Sequence, residues 1–175
     1  AGVEYVSGAE SRAETGEPHA PEAADAENVQ SLTWCFAVGY DPDGDHTIGQ
    51  PDFYPRWRDY VPALTPAWPG AMLDWTYTHP IPREPITATF DPAKGEGSFW
   101  RYRRLIGRRH WASGYEPHEV ALCNWPQNDY LEGNIIDKDE REVARYQQEA
   151  RELSLSLCYW LQTEAPRSDG GQGWK

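Results

Sequence analysis

The densest gathering of reactive side chains in the sequence is Asn124-Trp125-Pro126-Gln127-Asn128-Asp129-Tyr130, which ends an apolar run and precedes a long amphipathic stretch. Two Asn amides, a Gln amide, a carboxylate and a phenol offer more hydrogen-bonding capacity than a connection needs, and the proline stiffens the backbone that presents them. Loops at strand ends often carry binding and catalytic groups, and an Asx-type turn capping a sheet has the same composition, so both readings stand. A second cluster interleaves Arg101, Arg103, Arg104, Arg108 and Arg109 with Trp100, Tyr102 and Trp111. On a strand, Arg101 and Arg103 share one face while Tyr102 and Arg104 share the other. An inward Arg104 needs an anion, which is either a substrate carboxylate or an internal Asp or Glu.

Other constellations carry less. Asp41, Asp43, Asp45 and Asp52 stand at positions one, three, five and twelve of a calcium loop, but Gly44 comes too early and His46 takes the glycine's place, which predicts a solvated turn. His19, His46, His79, His110 and His118 show none of the spacings of a zinc site, and no metal is expected. No nucleophile elbow, P-loop or glycine-rich dinucleotide fingerprint is present. Cys35, Cys123 and Cys158 are an odd, widely spaced set in apolar context, which reads as buried reduced thiols and favours a cytoplasmic setting.

At 175 residues the chain is long enough for one domain with a real core. A formal charge of -12 repels phosphate backbones and anionic lipid, so neither nucleic acid nor membrane is an expected partner. No apolar run reaches the roughly 20 residues that cross a bilayer.

The elements that must position these groups follow from periodicity. Residues 1–6 read as an entry strand, and residues 7–28, small, acidic and proline-bearing, as a surface loop. Residues 29–40 read as a strand with Leu32, Trp34, Phe36 and Val38 on one face. Residues 53–68 are aromatic, but prolines keep them from forming a long element. Short period-two runs predict four more strands over 74–78, 85–90, 99–106 and 119–125. A helix over 137–162 is predicted from Asp137 as N-cap, Glu140 three residues on, and Val143, Ala150, Leu153, Leu157 and Trp160 at helical spacing. The expected fold is α+β, a largely antiparallel β-sheet covered by one long C-terminal helix, with long irregular loops. Residues 29–167 form the main domain, between the entry segment 1–28 and a Gly-rich exit segment 168–175.

Val29-Gln30-Ser31-Leu32-Thr33, the strand to Tyr40, Asn124 to Tyr130, Glu149-Ala150-Arg151 and residues 155–167 together resemble FAD-dependent oxidoreductases, over most of the chain. They look like glutathione-reductase-like flavoproteins, some labelled xanthan lyase, in which a Rossmann FAD domain is interrupted by a sheet-containing substrate domain. The resemblance implies that this chain is an internal substrate-domain piece, that FAD is the cofactor, and that segments outside the chain hold most of it. Its implied partners are that remaining FAD-binding polypeptide, covalent or separate, and a small-molecule substrate. It places Asp129 and His79 as candidates for proton removal during hydride transfer to the flavin. Asn124 and Asn128 would position substrate or flavin groups, Trp125 and Tyr130 would wall the pocket, and Arg104 would take an anionic substituent. Two rivals remain, a carbohydrate-binding module with exposed aromatics stacking on sugars and, less favoured, a glycosidase with paired carboxylates. Burial of the aromatics separates the flavoprotein reading from the first rival.

Overall fold

The computed structural model describes residues 2–115 and 118–175. In chain order the elements are α1 (Arg12–Thr15), β1 (Leu32–Thr33), β2 (Phe36–Gly39), α2 (Tyr54–Arg58), β3 (Thr76–Thr78), β4 (Pro85–Thr87), α3 (Ser98–Tyr102), β5 (Arg104–Ile106), β6 (Val120–Cys123), β7 (Asp129–Tyr130) and α4 (Glu140–Thr163). Every strand pair among the described residues is antiparallel, and α4 is the one long helix, as the α+β reading expects. The sheet is divided into three small ones, ordered β1-β7, β2-β6-β5 and β3-β4.

The divisions have local causes. The predicted strand over 29–40 breaks between β1 and β2, where the Trp34 carbonyl turns away from a neighbouring strand to accept the Ser154 hydroxyl at 2.7 Å and the Asn128 amide at 3.3 Å. Trp34 itself is exposed, which corrects the expected apolar face. The run over 99–106 is half helix: Phe99 and Trp100, adjacent in sequence, are both buried, which a two-faced strand does not allow and a helical turn wedged into the core does. The strand begins only at Arg104, so Arg101 and Arg103 do not form a strand row.

Gly97 makes this turn possible. Its φ of 101° lies in the left-handed region, and a Cβ there would stand 2.6 Å from the Thr89 carbonyl and 2.7 Å from the Phe90 Cα. Thr89 and Ser98 then clasp each other, the Ser98 N–H donating to Thr89 Oγ1 at 2.9 Å and the Thr89 N–H to Ser98 Oγ at 3.0 Å. Gly97→Ala is expected to destabilise the fold by about 2 kcal/mol through backbone strain and this clash, measured by chemical denaturation.

Helix α4 forms as its periodicity predicts, but its N-cap is Asp139, whose carboxylate accepts the Arg141 and Glu142 N–H groups at 2.8 and 2.9 Å. Asp137 is displaced from that role because its own φ is 55°; its carboxylate instead accepts the Tyr5 hydroxyl. Ala150, Leu153, Leu157, Trp160 and Leu161 face the core, joined by the small side chains of Ser154 and Ser156. Trp75 packs edge-on against Trp160 with ring centroids 4.9 Å apart.

Seven of the nine tryptophans are buried, and only Trp34 and Trp111 are exposed. A sugar-stacking surface needs those rings outside, so the aromatics here serve the core. Residues 2–6 have no strand partner among the described residues, and Ala1 lies outside the described residues. The 7–28 loop is closed by paired backbone hydrogen bonds of 2.8 Å between Ala9 and Asp25. The Gly-rich stretch after 168 folds back onto the core: Trp174 is buried, edge-on to Phe90 at 5.0 Å, with its N–H donating to the Leu161 carbonyl at 2.9 Å.

Cys123 is buried and Cys158 half-buried, as reduced thiols in apolar context should be, whereas Cys35 is exposed. The acidic loop is a set of self-capped turns. Asp41 accepts the Asp43 N–H at 3.0 Å, and Asp45 accepts the Thr47 N–H and hydroxyl at 3.1 and 2.6 Å.

Candidate active site

A cleft of about 770 Å³ opens between the β3-β4 hairpin, α3 and the chain around β7. Its aromatic wall is a stack: Tyr77 lies on Phe99 with centroids 5.7 Å apart, and Phe99 lies on Trp125 at 4.7 Å and 20°. Asp129, His79, Asn124 and Trp125, four of the seven side chains singled out from the sequence, line this one cleft.

Asp129 reaches it because β7 pairs with β1 and sets Thr33 opposite. The Thr33 hydroxyl donates to Asp129 Oδ1 at 2.5 Å. Burial pushes the Asp129 carboxyl above its ordinary pKa, and that hydrogen bond only partly offsets the effect. The result is a more basic carboxylate than one in water.

His79 begins the turn of the β3-β4 hairpin, and its Nδ1 accepts the Ile81 N–H at 3.1 Å. With Nδ1 engaged by the backbone, Nε2 is the ring nitrogen left without a partner among the described residues. Asn124 has no side-chain partner among the described residues, which leaves its amide available to whatever enters. Trp125 lines the cleft as the innermost ring of the stack, the residue being 1 % exposed.

The other three candidates are engaged elsewhere. Asn128 is fully buried. Its Oδ1 accepts the Trp125 N–H at 2.9 Å, and its Nδ2 reaches the Trp34 and Cys123 carbonyls and the Ser154 hydroxyl at 3.3 to 3.4 Å. Tyr130 is buried with its hydroxyl donating to Glu149 Oε2 at 2.5 Å; burial and that carboxylate both push its pKa up.

Arg104 meets an internal partner, Glu119, at 2.9 Å, and also donates to the Gly95 carbonyl at 2.8 Å. Burial alone would raise the Glu119 pKa, but the Trp100 indole N–H, the Arg108 N–H and the Arg104 guanidinium together hold it below the ordinary value. A depressed folded-state pKa gives stability that is present above the unfolded-state pKa and lost as pH falls through the folded-state value. Glu119→Gln is therefore expected to lower Tm at neutral pH and to show a flatter Tm profile than the parent protein below the ordinary carboxylate range, measured by thermal denaturation against pH.

The cleft also holds residues that sequence reasoning did not single out, among them Thr33, Tyr77, Thr89, Ser98 and Phe99, together with Arg103 of the arginine cluster. Arg103 and Arg104 are adjacent where α3 gives way to β5; Arg104 pairs with Glu119, and Arg103 lines the cleft. Among the described residues no group of His, Cys, Asp or Glu is gathered to hold a metal ion.

The model of the FAD dependent oxidoreductase family matches residues 1–175, and the chain belongs to that family. No curated protein and no solved structure matches it.

FAD is the cofactor of the family. Its ADP half does not fit the described residues. Pyrophosphate recognition in dinucleotide folds uses a glycine-rich turn from a parallel strand into a helix N-terminus. Here the strands are antiparallel, and the one long helix begins with an Asp139 side chain on its free N–H groups and Glu140 and Glu142 in its first turn, which repel phosphate. No helix is long and apolar enough to cross a membrane among the described residues.

Proposed function

We propose that this chain forms the substrate-binding part of an FAD-dependent oxidoreductase that oxidises a small polar substrate by hydride transfer. The observation that carries the proposal is the meeting of Asp129, His79 and Asn124 against one aromatic wall in a cleft large enough for a small molecule. FAD, held mainly by segments of the enzyme outside this chain, supplies the electron-accepting chemistry when bound. The chain's own tasks are to bind, orient and take up a proton.

Asp129 is the proton acceptor. Its raised pKa brings its basicity closer to that of the group it must deprotonate, and the Thr33 hydrogen bond fixes the oxygen that does so. The Asn124 amide and the His79 Nε2 orient the substrate's polar groups, while the Tyr77-Phe99-Trp125 stack covers its apolar face and keeps water from it. Asn128, Tyr130 and Arg104 act at a distance, by holding the turn, the β7 end and the loop at Gly95 in place.

The test is anaerobic bleaching of the flavin-loaded protein by a panel of small alcohols, amines and hydroxy acids. At least one should bleach the parent protein, and Asn124→Ala should raise the concentration needed while leaving the oxidised flavin spectrum unchanged. Bleaching by the same compound at equal concentrations in parent and variant would place the substrate elsewhere.

A further inference from the structure

Among the residues lining the cleft, Arg103 is the one lysine or arginine and Asp129 the one carboxylate. Five arginines in this chain are engaged by carboxylates, Arg56 by Glu132, Arg58 by Glu164, Arg101 by Glu96, Arg104 by Glu119 and Arg167 by Asp169, and none of these five lines the cleft. Arg103 has no carboxylate within ion-pair reach among the described residues. Its guanidinium lies over the Tyr102 ring, 5.0 Å from the centroid, which orients the planar group without using its donors. The Asn124 amide, which lines the same cleft, likewise has no side-chain partner among the described residues. An acidic chain of net charge -12 repels a free anion, so a cleft that admits one needs a local cation.

Resting on the reading of this cleft as the substrate site, we infer that Arg103 and Asn124 together receive a carboxylate, and that the substrate is a small organic anion with a flat or apolar portion set against the Tyr77-Phe99-Trp125 stack. The guanidinium fork and the amide NH₂ are donors of the geometry a carboxylate accepts. Asp129 is the oppositely specialised group, the cleft's carboxylate, which takes up the substrate's proton while Arg103 and Asn124 hold the substrate's anionic end. The cofactor's phosphates are the other anion such an arginine could meet, so the test must separate the two.

Benzoate and benzamide have nearly the same shape and differ in charge. Calorimetric titration of the flavin-loaded protein with each is expected to show benzoate binding about tenfold tighter. Arg103→Gln should bring the two to near-equal affinity, whereas Arg151→Gln, an equal change of charge at an exposed position on α4, should leave the preference intact. Equal binding of both compounds by the parent protein, or a preference that survives Arg103→Gln, overturns the inference while leaving the cleft a ligand site. No binding of either compound overturns it as well, and the bleaching test then decides separately whether the cleft binds substrate at all. Arg103→Gln should retain the parent's flavin content; loss of flavin with an unchanged benzoate preference assigns the guanidinium to the cofactor's phosphates and also overturns the inference.

Discussion

Asp129→Asn is expected to lower kcat/KM of the flavin-loaded protein by about 10²- to 10⁴-fold, the usual contribution of a positioned general base, without loss of stability. The separation of the two effects is what makes the variant informative. In the folded protein the Asp129 pKa is raised by burial, so the folded state holds the proton more tightly than the unfolded chain does. The corresponding stability is fully present below the unfolded-state pKa and is lost as pH rises through the folded-state value. At neutral pH the ionised carboxylate is thus a cost to the fold. Asn removes that cost, and its amide oxygen can still accept the Thr33 hydroxyl that now bonds Asp129 Oδ1 at 2.5 Å. Tm of the variant at neutral pH should equal or exceed that of the parent, and the two should converge in acid, where Asp129 is neutral too. The parent's kcat/KM should fall on the acid side through a pKa above the ordinary carboxylate value, and that limb should vanish in the variant. A variant that oxidises substrate at the parent's rate would remove Asp129 from the chemistry.

Much of the fold was legible because its signals are long or chemically forced. Helix α4 repeats its apolar positions over 24 residues, and few alternatives can bury Leu153, Leu157 and Trp160 together. An arginine in apolar surroundings demanded an anion, and Glu119 is there. Short runs were less legible. Period-two alternation over 99–106 cannot tell a strand from a helical turn followed by a strand, and the deciding fact, that Phe99 and Trp100 are both buried, is tertiary. With Asp137 and Asp139 both available, the N-cap depended on which one adopts extended backbone, and Asp137 does not. The site shows the same limit. The cluster at 124–130 was visible from composition alone, but the tight turn at Pro126–Asn128 sends Asn124 and Asp129 to the cleft and Asn128 into the core. Spacing does not encode that choice. The opposite wall, from Tyr77 to Arg103, is distant in sequence and carries no motif.

Asn128→Ala should cost the fold about 3 kcal/mol, seen as a lower midpoint in urea at unchanged slope and a fall in Tm of roughly 10 °C for a chain of this size. The side chain is buried and joins three segments: its Oδ1 takes the Trp125 N–H, and its Nδ2 faces the Trp34 and Cys123 carbonyls and the Ser154 hydroxyl. Truncation leaves the Trp125 N–H and the Cys123 carbonyl without this partner in a place that water does not reach, and the penalty for such groups exceeds the modest net gain of forming one hydrogen bond. Because Trp125 is a wall of the cleft and Asn124 and Asp129 flank the same turn, the loss would also loosen the site, but through position and not contact. Asn128→Asp separates the two roles. It retains an oxygen for the Trp125 N–H, yet it replaces a donor by a buried charge facing two carbonyls and should destabilise at least as much as Ala at neutral pH, with partial recovery in acid as the carboxyl is protonated. A side chain that contacted substrate would behave differently, raising KM in both variants while moving stability by no more than about 0.5 kcal/mol.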